Sequence, residues 1–464
     1  MKVARPVVAP YAIAMLTVSR GTSRPSNPKQ STAPIRTSST AAAKPAGSLR
    51  IGPPSLAFPL VVGAVHWLIV QITATLAFRY GTSTSDSRPF SRNLPMPDYH
   101  DGITGLLVDP LRAWDGLWYR LIAVEGYDFS KANAAFWPLF PWAMRELSDL
   151  TGMSTDVSGY LIANICFFAA LVLFYNLICL DFNEPIARVA LWALALFPTA
   201  LFFSAVYTES PFLLFSVGSL YAARKKQWWV AGLVGALAAL TRSYGMFLVF
   251  PLAVLFFQDR GFYVRRLIPT GFSVGLPLLG PAIFSWRLDQ IWGDPLEWKH
   301  VQEQWNRFSA MPWETLRYSF SQSPEGARIG IKDGADWSWI RELINNFNWA
   351  TVTSESWRQH VANSDTLELV CTLLFIGLAI VGFWKLPLYQ TAFLVPGLVV
   401  PLFQPSSVHV LMSMPRFGLT LFPIFVVIGI LLVRRRWLSI PLAILSTVGL
   451  ILLTIQFSQW YWVS

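Results

Sequence analysis

Charge is scarce in this sequence: 13% of its 464 residues are Asp, Glu, Lys or Arg, against roughly 25% in an average soluble domain. A soluble chain of this length could not cover its surface at that density, so the excess apolar surface must face lipid. Cysteine is scarcer still. Cys166, Cys179 and Cys371 fall in apolar spans or at their ends, without metal-ligand spacing or a disulfide framework, and read as small hydrophobes. No Asp-x-Asp and no His-rich pattern occurs, so nothing demands a metal or another cofactor. Internal repeats and a soluble domain are also missing. Acids are absent from residues 1–50, which carry eight Lys or Arg among Ser, Thr, Ala and Pro. Such a stretch is expected to be a disordered basic cytoplasmic tail.

Apolar and aromatic residues are abundant: 54% of the chain is hydrophobic, with 33 Phe and 21 Trp. Aromatic loading of this kind suits belts at a membrane–water interface. The net charge of +10 could suggest nucleic acid, but its distribution argues otherwise. Basic clusters at 224–226, 260–266 and 434–436 adjoin apolar spans, as the positive-inside rule predicts, so membrane lipids and not nucleic acid are the expected surroundings. Apolar windows fall near 56–78, 158–180, 188–206, 211–223, 228–241, 244–257, 267–286, 367–384, 387–403, 416–433 and 438–458, about eleven spans. Threaded from a cytoplasmic N-terminus, they put all three basic clusters inside and the long stretches 79–157 and 287–366 outside. Residues 136–150 contain Pro138 and Pro141 and soon meet charge, so they are expected to form an interfacial or re-entrant helix. The expected fold is all-α: residues 51–464 as a polytopic transmembrane helical bundle with amphipathic helices in the first outer loop.

That loop carries the candidate chemistry. Trp114, Trp118, Leu121 and Ile122 recur at helical spacing, while Arg112, Asp115 and Tyr119 lie at i, i+3 and i+7 near one face. A short amphipathic helix lying on the membrane would hold Asp115 at the lipid boundary, with Asp109, Glu125 and Asp128 nearby. A carboxylate so placed could accept a proton from a hydroxyl, and cations beside it could steady a departing phosphate. The bland alternative is that Asp115 caps a helix or pairs with Arg112.

Trp114-Asp115, Tyr119, Ile122-Ala123, Gly126-Tyr127 and residues 135–141 (AFWPLFP) together resemble a motif of the PIG-V family of GT-C-type mannosyltransferases. Further matching segments follow in order: Phe197-Pro198-Thr199, Tyr207-Thr208-Glu209-Ser210, Thr241-Arg242-Ser243-Tyr244-Gly245 and Pro415-Arg416-Phe417 with Phe422-Pro423. The chain departs from the pattern at Trp137, where Phe is usual, and at Tyr244, where Asn is common. The resemblance implies a GT-C-like fold and a polyprenyl-phosphate sugar donor of the dolichyl-phosphate-mannose type. It also implies a lipid-linked glycan or glycolipid acceptor, inversion by direct displacement, and Asp115 as the catalytic residue. A bacterial member would sit in the plasma membrane, a eukaryotic one in the endoplasmic reticulum.

Other residues carry paired readings. Glu209, at the outer end of a span, either positions substrate or caps the next helix. Arg242 either meets a lipid phosphate or pairs with Glu209. Arg416 and His409, in the last outer loop, are candidates for holding the phosphate, and Trp114 and Tyr119 for lining the substrate site. Nine tryptophans in and beside 287–366 offer either sugar-stacking platforms or an interfacial belt. The rival to an enzyme is a transporter of lipid-linked sugars, which would be expected to carry its polar residues mid-membrane.

Overall fold

The computed structural model describes residues 56–81, 98–261, 264–320 and 365–463, without the side chains of 264–269. All lie in one compact unit, Ile51–Ser464. The expectations for residues 1–50 and for Trp337, Trp339, Trp349 and Trp357 fall outside them. Among the described residues there are eighteen α-helices and no β-strand. In chain order α1 (Ala57–Tyr80) is followed by α2 (Gly102–Val108), α3 (Asp115–Glu125) and α4 (Leu139–Thr151). Then come α5 (Thr155–Asp181), α6 (Glu184–Ala195), α7 (Glu209–Arg224), α8 (Trp228–Thr241), α9 (Val249–Arg260), α10 (Val264–Gly275) and α11 (Leu279–Trp292). Short α12 (Glu297–His300) and α13 (Pro312–Phe320) precede α14 (Asp365–Lys385), α15 (Leu388–Val399), α16 (Met414–Leu419), α17 (Pro423–Leu432) and α18 (Arg436–Ser458).

Helices α1, α5, α14 and α18 are long and apolar enough to cross a membrane, which makes this a membrane protein. Their ends follow local chemistry. Ser154 caps α5 by accepting the Val157 N–H at 3.3 Å, and Asn183 caps α6 by accepting the Ile186 N–H at 3.1 Å. The other expected spans are shorter or interrupted. The 188–206 window stops being α-helical at Ala195, because Pro198 disfavours helical backbone before it, and resumes as a 3-10 turn at Ala200–Phe203. Likewise 244–257 opens with a 3-10 turn, Ser243–Leu248, and 416–433 is split into α16 and α17. Gly245 belongs to the first of these breaks. A Cβ there would lie 2.2 Å from the Ala239 nitrogen, so only glycine lets the turn fold against α8.

The core forms where α5 packs on α7, α7 on α8, α17 on α6 and α18 on α1. Helix α4 matches the expected amphipathic element: Phe140, Pro141 and Met144 are buried while Trp142 and Leu150 are exposed. Helix α3 packs most of its length inside the protein. Leu117, Tyr119, Leu121, Ile122 and Ala123 are all buried, because its apolar residues are distributed around the helix and pack against both α4 and α5. Arg112 departs from expectation. It precedes α3 and shares no helical face with Asp115.

Buried Arg112 instead anchors the loop that delivers α3. Its Nε meets Asp109 Oδ1 at 3.0 Å and its Nη1 meets Asp156 Oδ2 at 2.6 Å. His100 completes the cluster through Nδ1, 2.7 Å from the same Asp109 oxygen. Arg112→Met would leave both buried carboxylates without their main counter-charge. We expect a loss of about 3–5 kcal/mol, read as a lower unfolding midpoint of the detergent-solubilised protein.

Candidate functional site

Asp115 is the first residue of α3, where a carboxylate interacts favourably with the helix dipole. Trp114 before it has φ 58° and ψ −114°, close to the second position of a type II′ turn, a place normally held by glycine. The Gly116 N–H closes that turn on the Ala113 carbonyl at 3.2 Å. Holding a tryptophan in such a conformation costs about 1–3 kcal/mol, so its surroundings must over-determine it.

Part of that support comes from the non-helical segment between α6 and α7. Tyr207 Oη donates to the Ala113 carbonyl and accepts the Asp115 N–H, each at 3.1 Å. The Val206 N–H donates to the Leu111 carbonyl at 2.9 Å, and Tyr119 Oη shares a hydrogen bond with Thr208 Oγ1 at 3.1 Å. Burial pushes the Tyr119 hydroxyl well above its ordinary range, and the Asp115 carboxylate adds to the effect. Tyr119 therefore stays neutral.

The side chain of Asp115 enters a chain of alternating charge. Its Oδ2 lies 2.6 Å from Arg416 Nη1. Arg416 Nε lies 2.5 Å from Glu209 Oε1, and the same oxygen lies 2.5 Å from Arg242 Nη1. Glu209 is 0% exposed and its Oε2 has no hydrogen-bond partner among the described residues. A carboxylate this deep would be costly alone, and the two guanidiniums offset the cost. Arg416 is further held over the rings of Tyr207 (4.9 Å) and Phe202 (5.4 Å).

Part of this ion chain borders a cavity of about 200 Å³. Asp115, Tyr119, Arg242 and Arg416 line it, with Asp115 retaining 14% side-chain exposure. Arg307 lines it too, hydrogen-bonded through Nη1 to the Gln404 carbonyl at 2.9 Å, and burial pulls its guanidinium below the usual range. Phe136, Trp137, Trp298 and Trp305 give the cavity an aromatic side. Among the described residues, no three His, Cys, Asp or Glu side chains gather as a metal-binding group.

Not every residue singled out from the sequence reaches the cavity. Glu209 stands behind the two arginines and does not line it. His409 is elsewhere, its Nδ1 3.2 Å from Asp365 Oδ1 at the start of α14. Trp114 does not line it either, and its Nε1 donates to the Tyr461 carbonyl at 3.1 Å. Asp115 pairs with Arg416, not with Arg112, because Arg112 is already engaged by Asp109 and Asp156. Arg307 lies in a loop of mixed charge without a motif, and its one signal in the sequence is an arginine in a stretch expected to lie outside, where positive charge is disfavoured.

The fold is that of a mostly helical membrane protein whose interrupted helices enclose a cavity with one accessible carboxylate and several arginines. Residues 56–268 match the family model "Mannosyltransferase (PIG-V)", in agreement with the resemblance carried by the motifs. The chain is 32% identical over 181 residues to GPI alpha-1,6-mannosyltransferase 2 of Mus musculus, covering 33% of this chain and 36% of that protein. It is 30% identical over 173 residues to GPI mannosyltransferase 2 of Cryptococcus neoformans, covering 34% and 39%. The match thus spans a little over a third of these curated relatives. A solved structure of the Archaeoglobus fulgidus oligosaccharyltransferase in the apo form superposes with a TM-score of 0.37 at 12% identity, covering 87% of this chain and 56% of that one.

The ion chain makes a stability prediction. Glu209→Ala removes the anion shared by Arg242 and Arg416, and should cost about 3–5 kcal/mol. Thermal unfolding in detergent measures it, and an unchanged midpoint would contradict the role assigned to that carboxylate.

Proposed function

We propose that the chain is a membrane glycosyltransferase that moves a hexose, mannose first among them, from a polyprenyl-phosphate sugar to a hydroxyl of a glycolipid acceptor. The observation that carries the reading is one partly accessible carboxylate, Asp115, facing the same small cavity as the guanidiniums of Arg242, Arg307 and Arg416. The relatives are named GPI mannosyltransferases, so mannose and a GPI-type glycolipid are the first pair to test.

In this reading the acceptor hydroxyl gives its proton to Asp115 as its oxygen bonds to the sugar C1. The bond from C1 to the phosphate oxygen breaks, and the electron pair leaves with the phosphate. Configuration inverts and no covalent intermediate with the protein forms. The donor phosphate gains a negative charge as it departs, and fixed guanidiniums stabilise that charge more than they stabilise the bound donor. Arg416 reaches both the base and the phosphate-binding side, so it sets the distance between the proton acceptor and the leaving group. The aromatic side of the cavity offers ring faces to a sugar. A transporter of lipid-linked sugars would need no base beside the arginines, and this distinguishes the two.

Asp115→Asn keeps the side-chain shape and removes the proton acceptor. Sugar transfer from radiolabelled polyprenyl-phosphate mannose should fall by about 10²–10⁴-fold. Undiminished transfer would sink the mechanism. Arg307→Ala should weaken donor use by roughly 10–100-fold in KM, the value of one charge-assisted hydrogen bond. His409→Ala, away from the cavity, should leave the rate close to that of the unaltered protein.

A further inference from the structure

The segment after α18 is irregular yet buried. Trp460 is 3% exposed, Tyr461 7% and Val463 4%. Helix α18 ends in a Schellman arrangement: the Tyr461 N–H donates to the Gln456 carbonyl at 3.0 Å and the Trp460 N–H to the Phe457 carbonyl at 3.1 Å. The residue that turns left-handed in such a cap is usually glycine. Here it is Trp460, with φ 67°. A bulky side chain in that position has to be held by its packing, and one ring it packs against is that of Trp114.

Three contacts join this segment to the turn before Asp115. The Trp114 indole N–H donates to the Tyr461 carbonyl at 3.1 Å. The Trp114 ring lies 5.2 Å from Trp462, edge to face, and 6.4 Å from Trp460. Trp462 also lines the cavity that Asp115 faces. On the far side, Gln459 Nε2 donates to the Ala77 carbonyl at 3.4 Å, which ties the segment to the end of α1. Two residues with positive φ, Trp114 and Trp460, therefore lean on each other across 346 positions of sequence. Local hydrogen bonds close each turn, but they would do so more readily around a glycine.

We propose that residues 460–463 are part of the active site, as a brace that holds Trp114 in its strained turn and so fixes the start of α3 and the Asp115 carboxylate. Trp114 and the Tyr461 carbonyl are positioning groups, and Trp462 is a wall of the cavity. The family match ends at residue 268 and does not include the brace. The proposal rests on the reading of Asp115 as the base, but its structural half can be tested without it.

The experiment compares four full-membrane-domain proteins in lipid nanodiscs: the intact chain, a chain lacking residues 460–464, Trp114→Phe, and both changes together. Trp114→Phe keeps an aromatic ring but removes the donor to Tyr461 and part of the ring surface that meets Trp460 and Trp462. Hydrogen–deuterium exchange reads the brace directly. Loss of either partner should speed exchange of the Gly116 and Leu117 amides by about tenfold or more while α5 and α7 keep their protection. In transfer from polyprenyl-phosphate mannose to a glycolipid extract, kcat should fall by roughly 10–100-fold in each variant, with the donor KM little changed in Trp114→Phe, which leaves the cavity wall Trp462 in place, as expected when a reacting group is misplaced and binding is not. Because both changes cut the same link, the double change should be no worse than the shortened chain alone. Unaltered exchange in the first turn of α3 overturns the proposal. So does faster exchange spread equally through α5 and α7, or additive losses in the double variant. If the shortened chain is not recovered folded, Trp114→Phe reads the same two quantities by itself. If the intact chain transfers no sugar, the proposed function fails while the exchange experiment still judges the brace.

Discussion

One oxygen of Glu209 accepts two guanidiniums, and the geometry around the cavity depends on that sharing. Arg242 comes from the end of α8 and Arg416 from α16, so a single buried carboxylate fixes the mutual position of two helix breaks far apart in sequence. Because Arg416 also reaches Asp115, the first residue of α3 is tied to the same point. A buried ion pair of this kind adds little net stability against an apolar replacement, yet it is costly to break from one side. Its use here is therefore geometric: it permits one arrangement of the four charged groups and penalises the others.

The same breaks explain how irregular backbone exists within an apolar bundle. Non-helical backbone at membrane depth persists only when its polar groups are satisfied inside the protein. Tyr207 serves a carbonyl and an N–H of the 113–115 turn, Ser210 Oγ donates to the Phe203 carbonyl, and Thr199 Oγ1 donates to the Pro415 carbonyl. Short motifs that look unrelated along the chain thus supply hydrogen bonds to one another's interruptions. Their polar residues serve the breaks as well as the cavity.

The long apolar helices were legible because hydropathy over about 20 residues is a local property. So were the motif residues Asp115, Tyr119, Arg242 and Arg416, which line one cavity. Their grouping was not legible from spacing, since contacts such as Glu209–Arg416 join residues 207 apart. Helical periodicity also placed Arg112 beside Asp115, and the helix in fact begins three residues later. His409 looked like its loop neighbour Arg416, but their side chains go to different partners, Asp365 in one case and Glu209 in the other. Arg307 carried no motif, and it reaches the cavity because residues 307 and 406 pair across two loops.

By itself the sequence determined the class of solvent this chain lives in, the apolar helices that meet it, and the short motifs whose residues line the cavity. These follow from composition and local pattern, which need no knowledge of distant partners. Only the tertiary structure decided that Asp115 pairs with Arg416, that Glu209 stands behind the cavity, and that Trp114 rests on residues 460–462. The physical reason is the same in each case. Ion pairs, ring contacts and strained turns are set by which breaks and ends the packed helices bring together, and that is a property of the whole bundle.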